Sequence, residues 1–204
     1  IGRVPNTDAD WFRSSGLKLD ERGYVTVDGY GRTNLDGVWA LGDITPGHAL
    51  AHRAFEQGIT IAEKIAGADP KPVIDDTVPQ VVFSFPEAAS VGLTLDQAKA
   101  REDVVEPKET AYPMLSNARM LMSGEGGSMT VVSGAFANNP DMQVVLGVHI
   151  VSPIASDLIA EAEQLVGNRV PLADAARLIH PHPTFSETLG EALLKADGRP
   201  LHTR

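Results

Sequence analysis

The sequence contains no cysteine. That absence excludes a disulfide scaffold, a thiolate zinc site and a cysteine nucleophile within this chain. Any thiol chemistry it serves must be brought from elsewhere. Basic residues are also few, with 17 Lys and Arg against 27 Asp and Glu, a formal charge of −10. An acidic surface repels phosphate backbones, and no dense Lys/Arg cluster interrupts it, so nucleic-acid binding is not expected. No apolar run approaches the roughly 20 residues of a membrane-spanning helix. No signal peptide is recognisable, and the expected location is cytoplasmic. The six histidines follow no metal-ligand spacing, so no metal site is expected.

What remains is ordinary for a globular protein: 43% hydrophobic and 22% charged residues in a chain of 204. That length suffices for one large domain or two small ones with buried cores. Residues 1–69 read as strands and turns followed by one helix. Tyr24–Val27 alternates between glycines and predicts a strand. Val38–Leu41 is a short apolar run ending at Gly42-Asp43 and predicts a buried strand. Leu50, Ala54, Ile61 and Ile65 fit one face of a helix over 50–66, with Gly67 as its stop. Residues 70–79 are rich in proline and aspartate and read as a linker. Residues 80–204 read as an α+β unit. Strands are expected at Val81–Ser84, Met129–Ser133 and Val144–Val151. Helices are expected from the capping box Thr94-Leu95-Asp96-Gln97, over Ile154–Val166 and from Phe185 to Ala196.

Three segments have the residue types that chemistry requires. In His180-Pro181-His182-Pro183-Thr184-Phe185-Ser186-Glu187, prolines fix the backbone on both sides of His182. Glu187 could hold one ring nitrogen and leave the other as a base. Thr184 and Glu187 also have capping-box spacing, which would make Glu187 a structural residue only. Gly42-Asp43 would put a carboxylate at the end of a buried strand, where α/β folds bind ligands, or would simply begin a turn. The helix starting at Leu50-Ala51-His52 presents unpaired N–H groups and a positive dipole end, suited to an anion. There is no Walker loop, no His-Glu-x-x-His, and Gly124-Glu125-Gly126-Gly127 lacks dinucleotide-fingerprint spacing.

Taken together, these segments resemble the pyridine nucleotide-disulfide oxidoreductases. The likeness rests on Ile1-Gly2-Arg3-Val4-Pro5-Asn6-Thr7, Arg32-Thr33 through Gly42-Asp43, Ser90-Val91-Gly92-Leu93-Thr94, Leu146-Gly147-Val148-His149-Ile150 and His182-Pro183-Thr184-Phe185-Ser186-Glu187, in the family's order. Leu50-Ala51-His52 and His180 before His182 make it most similar to the dihydrolipoamide dehydrogenase branch. Mycothione and glutathione-type reductases, or a non-catalytic dimerisation fragment, are the alternatives.

The resemblance implies a fold of α/β plus α+β type. Residues 1–69 would be the C-terminal segment of an FAD-binding domain, and 80–204 a dimerisation domain after the 70–79 linker. It implies FAD, with Gly42 and Asp43 at the ribityl chain and the backbone of Leu50, Ala51 and His52 at the pyrimidine edge. It implies His182 as acid/base with Glu187 as its orienting partner, and a cis His182–Pro183 bond. It implies a homodimer whose His182 acts on the other subunit's disulfide. NAD is implied as co-substrate, and lipoyl domains of 2-oxoacid dehydrogenase complexes as partners. The family's glycine-rich FAD loop, Cys-x4-Cys and NAD loop lie N-terminal in the family and are absent from this chain, so a further segment or chain is expected to carry them.

Overall fold

The computed structural model describes residues 2–203; Ile1, which opens the first family-like stretch, lies outside them. The chain divides into two compact units, residues 1–75 and 76–204.

The first unit contains α1 (Asp10–Ser14) and α2 (Ala51–Ile65). Its core is small: Phe12, Val25 and Ala40, with Leu17, Val27 and Ile44 packed against them. The strands expected at Tyr24–Val27 and Val38–Leu41 are not formed as ladders. Only the isolated bridges Leu19↔Val25 and Arg32↔Trp39 occur there among the described residues. The reason is local. Asp20 and Asp28 fold back on their own segments, with Asp28 Oδ1 accepting from the N–H groups of Tyr30 and Arg32 at 2.9 Å. The neighbouring backbone is thus spent on turns rather than on strand pairing. The extended pieces still bury alternate residues, Val25 and Ala40, as the sequence pattern requires.

Helix α2 ends where expected, with Gly67 at φ +83°. Ile61 is buried, but Ile65, assigned to the same face, is exposed, as are Phe55 and Ile59. At 100° per residue the apolar positions are spread over more than one face, and this unit covers only one of them.

The second unit is a five-stranded antiparallel sheet in the order β1-β2-β5-β4-β3: β1 (Gln80–Val82), β2 (Glu87–Gly92), β3 (Val104–Pro113), β4 (Ser128–Phe136) and β5 (Asn139–Ser152). Its helices are α3 (Leu95–Ala100), α4 (Ala118–Ser123), α5 (Ala155–Gly167), α6 (Leu172–Ala175) and α7 (Glu187–Ala196). The Thr94 capping box is formed, with both reciprocal bonds to Gln97. Alternate strand residues separate into two cores. Val91, Tyr112, Met129, Val131, Val148 and Ile150 join the apolar faces of α5 and α7. Val132, Val144 and Leu146 join Leu93 and Ala98 of the α3 region.

Strand β2 against β5 explains one glycine pair. Gly92 has φ +79°, and a Cβ there would collide with the Leu146 carbonyl; a Cβ on Gly147 would collide with that of Leu93. The two backbones approach so closely that the Leu93 N–H reaches the Leu146 carbonyl at 2.9 Å.

Candidate functional sites in the two units

Pro183 forms a cis bond with His182, as the resemblance implies; Phe85–Pro86 is also cis. The turn around them delivers Thr184, Phe185 and Ser186 to the start of α7. Nδ1 of His182 lies 2.9 Å from Oε1 of Glu187. The other oxygen, Oε2, accepts the Thr184 N–H at 2.7 Å. The Thr184 hydroxyl does not return the bond to the helix; it donates to the Pro181 carbonyl at 2.7 Å and meets Ser186 Oγ at 2.9 Å. Only half of a capping box therefore exists. The same carboxylate closes the turn and holds the imidazole, so the structural and chemical readings of Glu187 are not exclusive.

The His182 side chain is 70% exposed and that of Glu187 only 19%. Burial pushes the Glu187 carboxyl upward, but the Thr184 N–H, the His182 ring and the nearby His180 outweigh it and hold the group below its ordinary value. A carboxylate so held accepts from Nδ1–H, which leaves Nε2 as the nitrogen available for proton transfer.

Two supports of this turn, Asn117 and Arg119, were not singled out from the sequence. Asn117 caps α4 by accepting the Met120 N–H at 3.1 Å, and its amide donates to the Thr184 carbonyl at 3.2 Å. Arg119 stacks over the Phe185 ring, 5.4 Å from its centroid. Asn-x-x-Met before a short helix is a readable N-cap, but nothing local signals a bond 67 residues away. A third support is His180, which was named from the sequence but without its partner: its Nε2 lies 2.8 Å from Glu161 Oε1 on α5.

The residues that the resemblance places at a flavin lie in the first unit. Gly42 is buried at φ +73°, and its N–H donates to Gln57 Oε1 at 2.9 Å. Asp43 follows on a 3₁₀ turn (Gly42–Ile44) with its side chain exposed. Leu50 is the N-cap of α2; no side chain caps that end, and Ala51 and His52 form its exposed first turn. Arg53, one residue further, is buried. It pairs with Asp75 at 2.6 Å and donates to the Pro46 carbonyl at 2.7 Å, while its Nη1 has no partner. An exposed carboxylate beside a glycine and an uncapped helix start suit a polyol and an anionic ring edge. These residues fit FAD. Among the described residues, no group of three or more His, Cys, Asp or Glu is placed to hold a metal ion. No helix among them is long and apolar enough to cross a membrane.

Residues 78–193 match the family described as pyridine nucleotide-disulphide oxidoreductase, dimerisation domain, and residues 1–58 match pyridine nucleotide-disulphide oxidoreductase. The chain belongs to this family, whose members are flavoprotein oxidoreductases that use FAD and NAD. A dihydrolipoyl dehydrogenase of Cupriavidus necator is 42% identical over 204 residues, covering 99% of this chain and 41% of that protein. One from Geobacillus stearothermophilus is 39% identical over 204 residues, covering 99% of this chain and 42% of that protein. Among solved structures, LpdA from Mycobacterium tuberculosis is similar with a TM-score of 0.84 at 31% identity, over 96% of this chain and 41% of that one. The flavoprotein disulfide reductase RclA from Escherichia coli shares the fold at a TM-score of 0.79 and 24% identity, over 94% of this chain and 43% of that one. The chain spans about two fifths of the length of these relatives.

Proposed function

We propose that this chain is the C-terminal part of a dihydrolipoamide dehydrogenase, converting dihydrolipoamide and NAD⁺ to lipoamide, NADH and a proton. The observation that carries the reading is the His182–Glu187 bond at 2.9 Å, with the ring otherwise exposed. Glu187 fixes the tautomer and favours the imidazolium, so Nε2 accepts a proton from a dihydrolipoyl thiol and leaves a thiolate nucleophile. The thiolate attacks a redox-active disulfide that this chain, lacking cysteine, does not supply.

Asp43 and Gly42 would hold the ribityl chain, and the backbone of Leu50, Ala51 and His52 would face the ring. FAD, when bound, provides the two-electron link between the dithiol and NAD⁺. The domain reading goes with this: 1–69 completes an FAD-binding domain, 70–79 links, and 80–204 forms a homodimer that brings His182 to the partner subunit's disulfide. Lipoyl domains of 2-oxoacid dehydrogenase complexes are the expected partners, in the cytoplasm.

The test is substrate choice by the complete flavoprotein containing this chain. Lipoamide-dependent NADH oxidation far above that with mycothiol or glutathione disulfide is expected. Preference for either of those two, or no disulfide turnover with FAD bound, overturns the reading.

A further inference from the structure

The structure holds a second imidazole–carboxylate pair beside the first, and the proposed proton transfer leaves it unused. His180 lies two residues before His182 in the same turn. Its side chain is 9% exposed, against 70% for His182. A buried imidazole needs its ring nitrogens satisfied. Nε2 meets Glu161 Oε1 at 2.8 Å, and the Leu178 backbone provides a further hydrogen bond. The ring packs against α7 at Gly190, where a Cβ would come within 2.6 Å of Nδ1 and 2.9 Å of Cε1. Glycine inside a helix is a poor helix former, so a reason for it is required, and the His180 ring supplies one. His180 thus fastens the turn to α5 through Glu161 and to α7 through Gly190.

We infer that His180 is a positioning residue for His182, acting through the turn and through the Glu187 carboxylate. The inference rests on the proton-transfer role proposed for His182. The backbone from 180 to 187 is short, so the placement of the His180 ring fixes where the cis-linked His182 stands. Proton transfer demands such placement; an error of about 1 Å can cost up to ~10²-fold in rate.

The pair also sets local charge. Acceptors on the ring favour the imidazolium, and the bond to Glu161 outweighs burial, so His180 is held above its ordinary value. The charged groups around it are Glu161 on α5, Glu187 on α7 and His182 in the turn itself. Tyr112 on β3 stands behind the α7 carboxylates Glu187 and Glu191. A positive His180 helps keep Glu187 ionised, which is the state that holds Nδ1–H of His182.

The test uses the complete FAD-loaded enzyme and four proteins: wild type, His180→Gln, Gly190→Ala and His182→Ala. His180→Gln removes the charge. Gly190→Ala displaces the ring while every charged group remains, and adds a better helix former. Each is expected to retain FAD by its visible spectrum. We expect His180→Gln and Gly190→Ala to lower kcat with lipoamide by roughly 10- to 100-fold. His180→Gln should also move the acid limb of the kcat/KM profile to higher pH, because a neighbouring positive charge that disfavours protonation of the base is gone. A merely structural role would not move that limb. Wild-type kcat and an unmoved limb in His180→Gln, beside an inactive His182→Ala, overturn the positioning inference and leave the proposed function intact. Should His182→Ala turn over lipoamide normally, the proposed function itself falls.

Discussion

The Glu187 carboxylate is divided between His182 and its own helix start. Oε1 takes the imidazole at 2.9 Å and Oε2 takes the Thr184 N–H at 2.7 Å. One side chain therefore both closes the turn that presents the histidine and fixes the histidine's tautomer. This arrangement makes the roles separable by substitution. His182→Ala in the complete enzyme should cost about 10²–10⁴-fold in lipoamide turnover, the usual worth of general acid/base catalysis. Glu187→Gln should cost less, since an amide oxygen still accepts from Nδ1–H but stabilises the imidazolium poorly. Reduction of an artificial acceptor by NADH should survive both. A Glu187→Gln enzyme with unchanged lipoamide kcat would reduce the residue to a helix cap.

Asn117 offers a test of the turn's anchoring. It is 5% exposed, caps α4 through Oδ1 and donates to the Thr184 carbonyl. Losing an N-cap costs about 0.5–2 kcal/mol, and losing the bond to the part-buried Thr184 carbonyl adds about 0.5–1.5 kcal/mol. Asn117→Ala should therefore unfold at clearly lower denaturant than wild type, and Asn117→Asp, which keeps the cap acceptor but loses the amide donor, should fall between them. An aspartate variant with the wild-type midpoint would show that the Thr184 bond contributes nothing.

What was legible in the sequence follows from how far each signal reaches. The helices α2, α3, α5 and α7 were visible because their 3.6-residue patterns, and for α3 its capping box, are local. Strands β4 and β5 were visible as apolar runs, although their ends extend beyond them. Strands β2 and β3 were not: Glu87-Ala88-Ala89-Ser90 and Lys108-Glu109-Thr110 have few β-branched residues, and they become strands through their neighbours. Within the site, the His182–Glu187 spacing was readable because both residues lie in one turn. The Asn117–Thr184 and His180–Glu161 bonds cross 67 and 19 residues and arise only when the α4 start and α5 pack around that turn. Asp43 and the α2 start were singled out from family motifs and a strand end. The strand end proved to be an isolated bridge, yet the Gly42–Asp43 turn stands.

The glycines at the β2–β5 contact lead to a different expectation. Gly92 sits at φ +79°, where a side chain is strained, and both Gly92 and Gly147 face a carbonyl of the opposite backbone too near for any Cβ. No flexible side chain can yield there. Gly92→Ala should cost more than the ~1 kcal/mol typical of left-handed backbone alone. Gly147→Ala should also destabilise, although its φ is unstrained. Gly37→Ala is the contrast: φ is +72° but a Cβ there would enter open space. If Gly92→Ala and Gly37→Ala destabilise equally, the close approach of the strands is not what demands glycine.

The pH dependence of stability should have two limbs from groups in this turn, with opposite signs. Burial opposes ionisation of Glu187, but the Thr184 N–H and His182 prevail and its folded value is lowered. Its contribution is therefore present above the unfolded carboxyl value of about 4.3 and is lost as pH falls through the folded value. For His180 the Glu161 bond prevails over burial and the folded value is raised. Its contribution is complete below the unfolded imidazole value of about 6.5 and is lost as pH rises through the folded value. Other groups titrate as well, so the informative quantity is the difference in unfolding free energy between wild type and His180→Gln. That difference should be largest near pH 5.5 to 6, which lies between about 4.3 and about 6.5, and should shrink toward alkaline pH. Urea titrations at three pH values suffice to measure it. A difference that stays constant across neutrality, or grows with pH, would mean that His180 is held neutral and that Glu161 is only a packing neighbour.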